Sequence, residues 1–285
     1  MFEIVGPTEK GMSFYSIEDF TKVTIDIGRE HLNLKCYSCY KMVYCRGEIY
    51  WFGDKGFHPK LIDSAVHKYS LVDKTCEHVT DVFDDRNFFA VCSLVDQIYV
   101  IGGYDRRHLK SCMKLCTKTK RWEKVGRMGV RRASASCCVF QGQIVACGGV
   151  NSRSGGLKSV EAYDDVADKW LSMPSMVKGR HYCKSVSKRN KLFVVESLKD
   201  GCDVYDCFSN KFSLIKSQPR WAALRLSQFG SGFVHAISVG SEIVLVSYRS
   251  TIAVVYDVEK DKWTKRKLGG KSYFFNGALI PQVEL

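Results

Sequence analysis

Arginine recurs in matching settings along this chain, as DDRNFF around Arg86, VRRASA around Arg132 and KGRHYC around Arg180. A guanidinium is a planar fork of five N–H donors that stays charged at any physiological pH. Such a group binds carboxylates and phosphates, often two bonds at a time; it does not shuttle protons. Residues that would carry catalysis are poorly arranged. The histidines at 31, 58, 67, 78, 108, 181 and 235 show no HxxxH or HxH spacing for a metal. Cys36 and Cys39 form a lone CxxC that strand alternation sends to opposite faces. No G-x-S-x-G elbow or phosphate-binding loop is present. The chemistry expected is recognition without turnover, with no cofactor.

The elements that position these arginines emerge as a repeat. A bulky residue, six intervening residues and a second bulky residue recur: Tyr163 and Trp170, Tyr256 and Trp263, Leu115 and Trp122, Tyr205 and Phe212. Tyr69 and Cys76 are a decayed copy, and Tyr15 and Lys22 the weakest. The spacing averages about 48 residues, in the range of propeller blades. An apolar run precedes each anchor, as in IYVIGGY at 98–104 and IVACGGV at 144–150. Another short apolar run precedes that one in every unit except the first. Each unit therefore reads as four strands, rich in Val, Ile, Phe, Tyr and Cys, joined by Gly, Asp, Asn and Lys turns. No window has a 3.6-residue apolar period, so helix is nearly absent. The turn between the two anchors folds them into cross-strand neighbours, and each aromatic can bury about 150–250 Å² between one sheet and the next.

A glycine pair after an apolar strand, a Tyr about a dozen residues later and a Trp seven further on together resemble the Kelch repeat. Gly102, Gly103 and Trp122, then Gly148, Gly149, Tyr163 and Trp170, carry the likeness best. The resemblance spans essentially the whole chain and implies an all-β, six-bladed β-propeller. The expected blades are about 2–27 plus 272–282, 35–82, 86–128, 131–176, 180–216 and 231–268. The C-terminal strand is expected to pair into the first blade and close the ring, leaving no free sheet edge.

Alignment of the units collects candidate partner-binding residues on one face. The starts of the first strands contribute Tyr37, Arg86, Arg132, Arg180, Ser231 and Tyr273. The loops between second and third strands add Lys55, His58, Arg106, Arg107, His108, Lys110, Arg153, Lys199 and Arg249. Arginine and tyrosine are common in interface hot spots. A long loop at 217–231 adds Trp221, which falls outside the repeat register and is read either as an anchor for a partner or as packing with Leu224 and Leu226 to hold the loop down. The competing reading of the arginines is that they cap strand ends. In relatives of the Kelch-like family this face binds partners, so the resemblance implies docking of an acidic peptide or degron-like loop. It also implies a substrate receptor for a cullin-3 ubiquitin ligase. The BTB and BACK domains that reach the cullin are absent from these residues. The alternative implied by other Kelch proteins is actin binding.

The chain has 285 residues, 45% of them apolar, enough for a large core. Its net charge of +13 favours acidic partners. Nucleic acid is disfavoured, for want of a zinc knuckle, a helix-turn-helix or an exposed aromatic platform. No apolar run reaches the roughly 18–20 residues that cross a bilayer, and MFEIVGPTEKG lacks a secretory leader pattern. A cytoplasmic protein is expected, at the cytoskeleton or in the nucleus as further settings. The thirteen cysteines, odd in number and mostly inside apolar runs, are read as reduced core residues.

Overall fold

The turn chemistry of the repeat dictates antiparallel sheets, and the structure, a computed structural model, is built from them. It describes residues 2–8, 11–16, 22–25, 40–53, 65–82, 84–196, 201–215, 234–247, 252–267 and 279–280. Unit two consists of Tyr40–Cys45, Glu48–Gly53, Ala65–Ser70 and Cys76–Asp81. Unit three has Ala90–Leu94, Gln97–Ile101, Cys112–Cys116 and Arg121–Val125. Unit four has Ser136–Phe140, Gln143–Cys147, Val160–Asp164 and Lys169–Met173. Lys184–Lys188, Lys191–Val195, Cys202–Asp206 and Lys211–Ile215 form unit five. Val234–Val239, Glu242–Ser247, Ile252–Asp257 and Lys262–Lys267 form unit six. Within each unit the strands pair in chain order, every neighbour antiparallel. The first strands of units two to six lie side by side in sequence, so they line the centre and the fourth strands form the rim.

One correction follows for the expected six-bladed ring, while the expected pairing of the C-terminal strand with the first unit is found. Among the described residues the propeller has five blades, units two to six. The N-terminal strands Phe2–Thr8, Gly11–Ser16 and Lys22–Ile25 do form a sheet, with Leu279–Ile280 beside Phe2–Thr8. That sheet, too, has four antiparallel strands, in the order Leu279–Ile280, Phe2–Thr8, Gly11–Ser16 and Lys22–Ile25. The expected closing strand over 272–282 is described only as two residues, paired at Phe2 with Ile280 and Glu3 with Leu279. The blades' first strands have five or six residues. The physical reason also shows in the anchor register: Lys22 stands opposite Tyr15, where four of the blades place a Trp or Phe. A lysine is a poor wedge between sheets.

The anchors themselves behave as their spacing requires. Tyr163 is paired across strands with Trp170, Tyr205 with Phe212, Tyr256 with Trp263 and Leu115 with Trp122. The ring centroids of the first three pairs lie 5.3, 5.2 and 4.7 Å apart. The tyrosine of each pair also meets an aromatic of the preceding blade: Tyr163 meets Tyr99, Tyr205 meets Phe140 and Tyr256 meets Phe193. The tyrosine hydroxyl donates to a turn residue five positions on, Asp168, Asn210 or Asp261. Those three turn residues have positive φ, a conformation that Asn and Asp tolerate best after glycine. The indole N–H of Trp122 donates to Asp81 O and that of Trp170 to Gly126 O, both at 2.9 Å. Each thereby ties its blade to the one before.

Candidate partner-binding face

The loops between blades and the loops joining second to third strands meet on one face. Three latches organise it. Arg132 is fully buried and donates to Gly148 O at 2.6 Å, Ser159 O at 3.1 Å and Ser159 Oγ at 3.2 Å. Its Nη2 also reaches Glu161 Oε2 at 2.6 Å. Glu161 in turn accepts the backbone N–H groups of Gly129 and Val130 from the incoming loop. Arg180, also fully buried, repeats the scheme with Asp203 at 2.5 Å and Gly201 O at 2.8 Å. Asp203 accepts from Val177 and Lys178. In unit three Met113 occupies the matching third-strand position, and the carboxylate comes from the loop instead. Asp84 grips Arg86 with both oxygens at 2.6 Å, while Arg86 Nη1 reaches Gly102 O and Ser111 O.

These latches decide the role of the three arginines. A guanidinium buried among carbonyls and a carboxylate has most of its donors engaged inside the protein, and Arg86, Arg132 and Arg180 close strand ends. The polar satisfaction they supply is what lets the loop backbone be buried at all.

Two residues past each latch the backbone turns left-handed, at Phe88, Ser134 and Tyr182, with φ of 54°, 51° and 49°. Non-glycine residues adopt this region at a cost, and clusters of them mark sites more often than scaffolding. Here a chain of backbone bonds holds them: Ser134 N donates to Phe88 O and Tyr182 N to Ser134 O, at 2.7 and 2.8 Å. Phe88 and Tyr182 meet edge to face at 6.4 Å across Ser134. His181 lies tilted against Tyr182, ring centroids 5.5 Å apart, and pairs with Glu196 at 3.0 Å. The result is an aromatic rim around the mouth of the central channel.

Outside the rim lie the exposed cations. Arg106, Arg107 and Arg153 are exposed at the tips of second-to-third-strand loops, as expected. Arg131 is exposed next to them, its Nη1 bonded to His108 O at 3.0 Å. Tyr104 lies beside His108, with ring centroids 5.3 Å apart. Burial holds the His108 pKa below its usual value, so that ring adds little positive charge at neutral pH. Tyr37, Trp221, Arg249 and Tyr273 fall outside the described residues, as do Lys55, His58, Lys199 and Ser231. Sequence reasoning missed Phe88, Tyr182 and Arg131. Each lies one or two positions from a latch arginine, but nothing in the sequence marks the turn of the backbone there. No group of three or more His, Cys, Asp or Glu poised to hold a metal occurs among the described residues.

A family model described as the Kelch motif matches residues 85–129 and 131–177. These are the two units in which the glycine pair, the latch arginine and the tryptophan wedge all coincide. The chain carries Kelch motifs in a β-propeller. It is 27% identical to Kelch repeat protein C2 of camelpox virus over 63% of this chain and 35% of that protein. It is 25% identical to mouse Kelch-like protein 35 over 62% of this chain and 30% of that one. Alpha-scruin of Limulus polyphemus is 29% identical over 41% of this chain and 14% of its own. The Kelch propeller thus spans about a third of the length of the curated relatives it matches. Kelch repeats mediate protein–protein binding, and this propeller is a domain of that kind. No helix among the described residues is long and apolar enough to cross a membrane.

Proposed function

We propose that the Kelch propeller recognises an acidic segment of a partner protein on the face that carries the aromatic rim. One observation carries the reading. Arg106, Arg107, Arg131 and Arg153 are exposed on the loop face that also carries Phe88 and Tyr182, while the arginines of the latches are buried. Forked cations next to rigid aromatic rings are the composition of an interface hot spot. Exposed carboxylates of a partner would steer toward this face and pair with it.

In finer detail, we read the propeller as a substrate receptor, supported by its likeness to Kelch-like protein 35. In that role it would hold a degron-like peptide for a cullin-3 ligase and reach the cullin through BTB and BACK domains outside this chain.

The test is a peptide array of acidic and neutral sequences, with hits measured by calorimetry. Acidic peptides should bind in a salt-sensitive way. The quadruple Ala variant of the four exposed arginines should lose them while its melting temperature stays put. Preference for neutral peptides, or binding unchanged in that variant, would overturn the reading. Co-sedimentation with actin filaments, without any peptide preference, would favour a cytoskeletal role instead.

A further inference from the structure

On the outside of the wheel, successive units leave a seam between their fourth strands. The second anchor of each pair faces the preceding unit, as the indole bonds of Trp122 and Trp170 show. Strand alternation then sends the next residue toward the following unit, and the one after that back toward the preceding unit. Each seam is therefore lined by one residue of each kind. Glu77 and Lys124 line the seam of units two and three, Glu123 and Ser172 that of three and four, Ser213 and Lys265 that of five and six. The seam of units four and five has Leu171 and Leu214. Among the described seams it alone is apolar at both places.

The two leucines belong to a longer stripe. Leu171 stands opposite Ala162, a member of the core between units four and five, and Met173 and Phe212 pack on that same core. Leu214 stands opposite Asp203, whose carboxylate takes the backbone N–H of Val177 at the loop-face end. Phe208 lies in the turn at the other end, between Cys202–Asp206 and Lys211–Ile215. Leu171 is 53% exposed, Val177 43% and Phe208 82%. Single exposed apolar side chains are ordinary on a protein surface, but a run of them along one groove marks a place of association.

The shape of the stripe selects its occupant. A strand added to the edge of one sheet would cover one wall and leave the other leucine in water. A helix lays a single ridge into a groove and meets both walls. The five-residue strands run for about 16 Å, which three helical turns match. Charge selects the flanks of that helix. Lys169 precedes Trp170 and Lys211 precedes Phe212, so an exposed lysine stands at the foot of each wall. The turn carboxylates nearby are engaged elsewhere. Asp164 and Asp206 accept backbone N–H groups of their own turns, and Asp168 holds the Tyr163 hydroxyl and Gly126 N. Asp165 lies toward unit three, where Tyr99 feels its charge.

We propose that the outer seam between units four and five is a docking site for an amphipathic helix of a partner protein, its apolar ridge seated on Leu171, Leu214 and Phe208 and its flanking carboxylates on Lys169 and Lys211. Charge complementarity steers such a helix to the seam, and burial of its ridge holds it there. The seam uses none of the exposed arginines of the loop face, so it stands or falls apart from the peptide-binding reading.

The probes are two fluorescein-labelled helical peptides with leucines at i, i+4, i+7 and i+11, one flanked by Glu and the other by Lys. Fluorescence anisotropy with the whole chain at low salt should show saturable binding of the Glu peptide, about tenfold or more tighter than that of the Lys peptide. Leu171→Ser should weaken the Glu peptide about tenfold while the melting temperature stays put, since that side chain is already half in water. Lys169→Glu with Lys211→Glu should reverse the preference in favour of the Lys peptide. The quadruple Ala variant of the loop-face arginines should bind the Glu peptide as the wild type does. Absence of saturable binding, or equal binding by the wild type and Leu171→Ser, would overturn the proposal. Tighter binding of a proline-broken, non-helical version of the Glu peptide would do the same, by assigning the seam to an extended chain. So would a wild-type dimer in analytical ultracentrifugation that Leu171→Ser abolishes, because the occupant would then be a second copy of this chain.

Discussion

The carbonyl oxygen of Arg132 sits 2.4 Å from the place a β-carbon on Gly102 would occupy. Arg180 O approaches Gly148 in the same way, at 2.6 Å. Gly103 N and Gly149 N donate to those same carbonyls at 2.8 Å. The glycine pair of one blade is therefore the seat for the latch arginine of the next. In the sequence, units three and four keep the pair and are followed by Arg132 and Arg180, unit two keeps only Gly53 and is followed by Arg86, and unit five has lost both glycines and is followed by Ser231.

Gly102→Ala must displace a backbone carbonyl and hold alanine at a φ of +60°. The expected cost is about 2–4 kcal/mol. Gly142→Ala, at a φ of +76° with nothing within 4 Å, should cost only about 1 kcal/mol. Urea unfolding of the two variants measures the difference, and equal costs would refute the close approach.

Neighbouring arginines should behave as opposites. Arg132→Met strips a buried carboxylate of its partner and should lower stability by about 3–5 kcal/mol. Arg131→Met, on the surface, should change stability by less than about 0.5 kcal/mol yet weaken binding of an acidic peptide. Denaturation and calorimetry on the pair separate latch from docking group.

Lys184 gives the propeller a pH signature. Its folded pKa, about 7, lies below the 10.5 of the unfolded chain. The unfolded state therefore binds more protons above pH 7, and stability rises with pH from there. Below pH 7 the contribution is flat. Buried thiols such as Cys112 and Cys202, raised from 9.0 to about 12, oppose the rise once pH approaches 9. The clean window is pH 7 to 8.5, where the wild type should gain stability and Lys184→Met should not. Melting curves across that window check the sign.

Among the described cysteines, Cys116 should be the first to be alkylated. Hydrogen bonds from Thr119 bring its pKa down to about 7, on a half-buried turn. Burial lifts Cys112, Cys138 and Cys202 to about 12. Iodoacetamide at pH 7.5 with peptide mass mapping should label Cys116 well before those three.

The blades were legible because their signals are local. A Tyr and a Trp seven apart can meet only across a hairpin turn, and a glycine pair after an apolar run announces a crowded backbone. Blade number was harder: Tyr15 and Lys22 keep the spacing without the wedge, and spacing alone does not measure packing. The roles of the arginines were harder still. Arg106 and Arg132 are the same residue to a pattern search, and only the distant partners Ser159 and Glu161 distinguish a buried clasp from a free fork. Phe88 and Tyr182 escaped notice because left-handed backbone at an aromatic has no sequence mark; the loop network imposes it.

The indole bonds from Trp122 to Asp81 O and from Trp170 to Gly126 O all point backward along the chain. A ribosome delivers the units in order, so the outer corners of units two and three must wait for the next unit to emerge before Asp81 O and Gly126 O find these donors. The wheel is thus assembled with a built-in arrow, and its earliest-made corners are finished by residues synthesised some forty positions later.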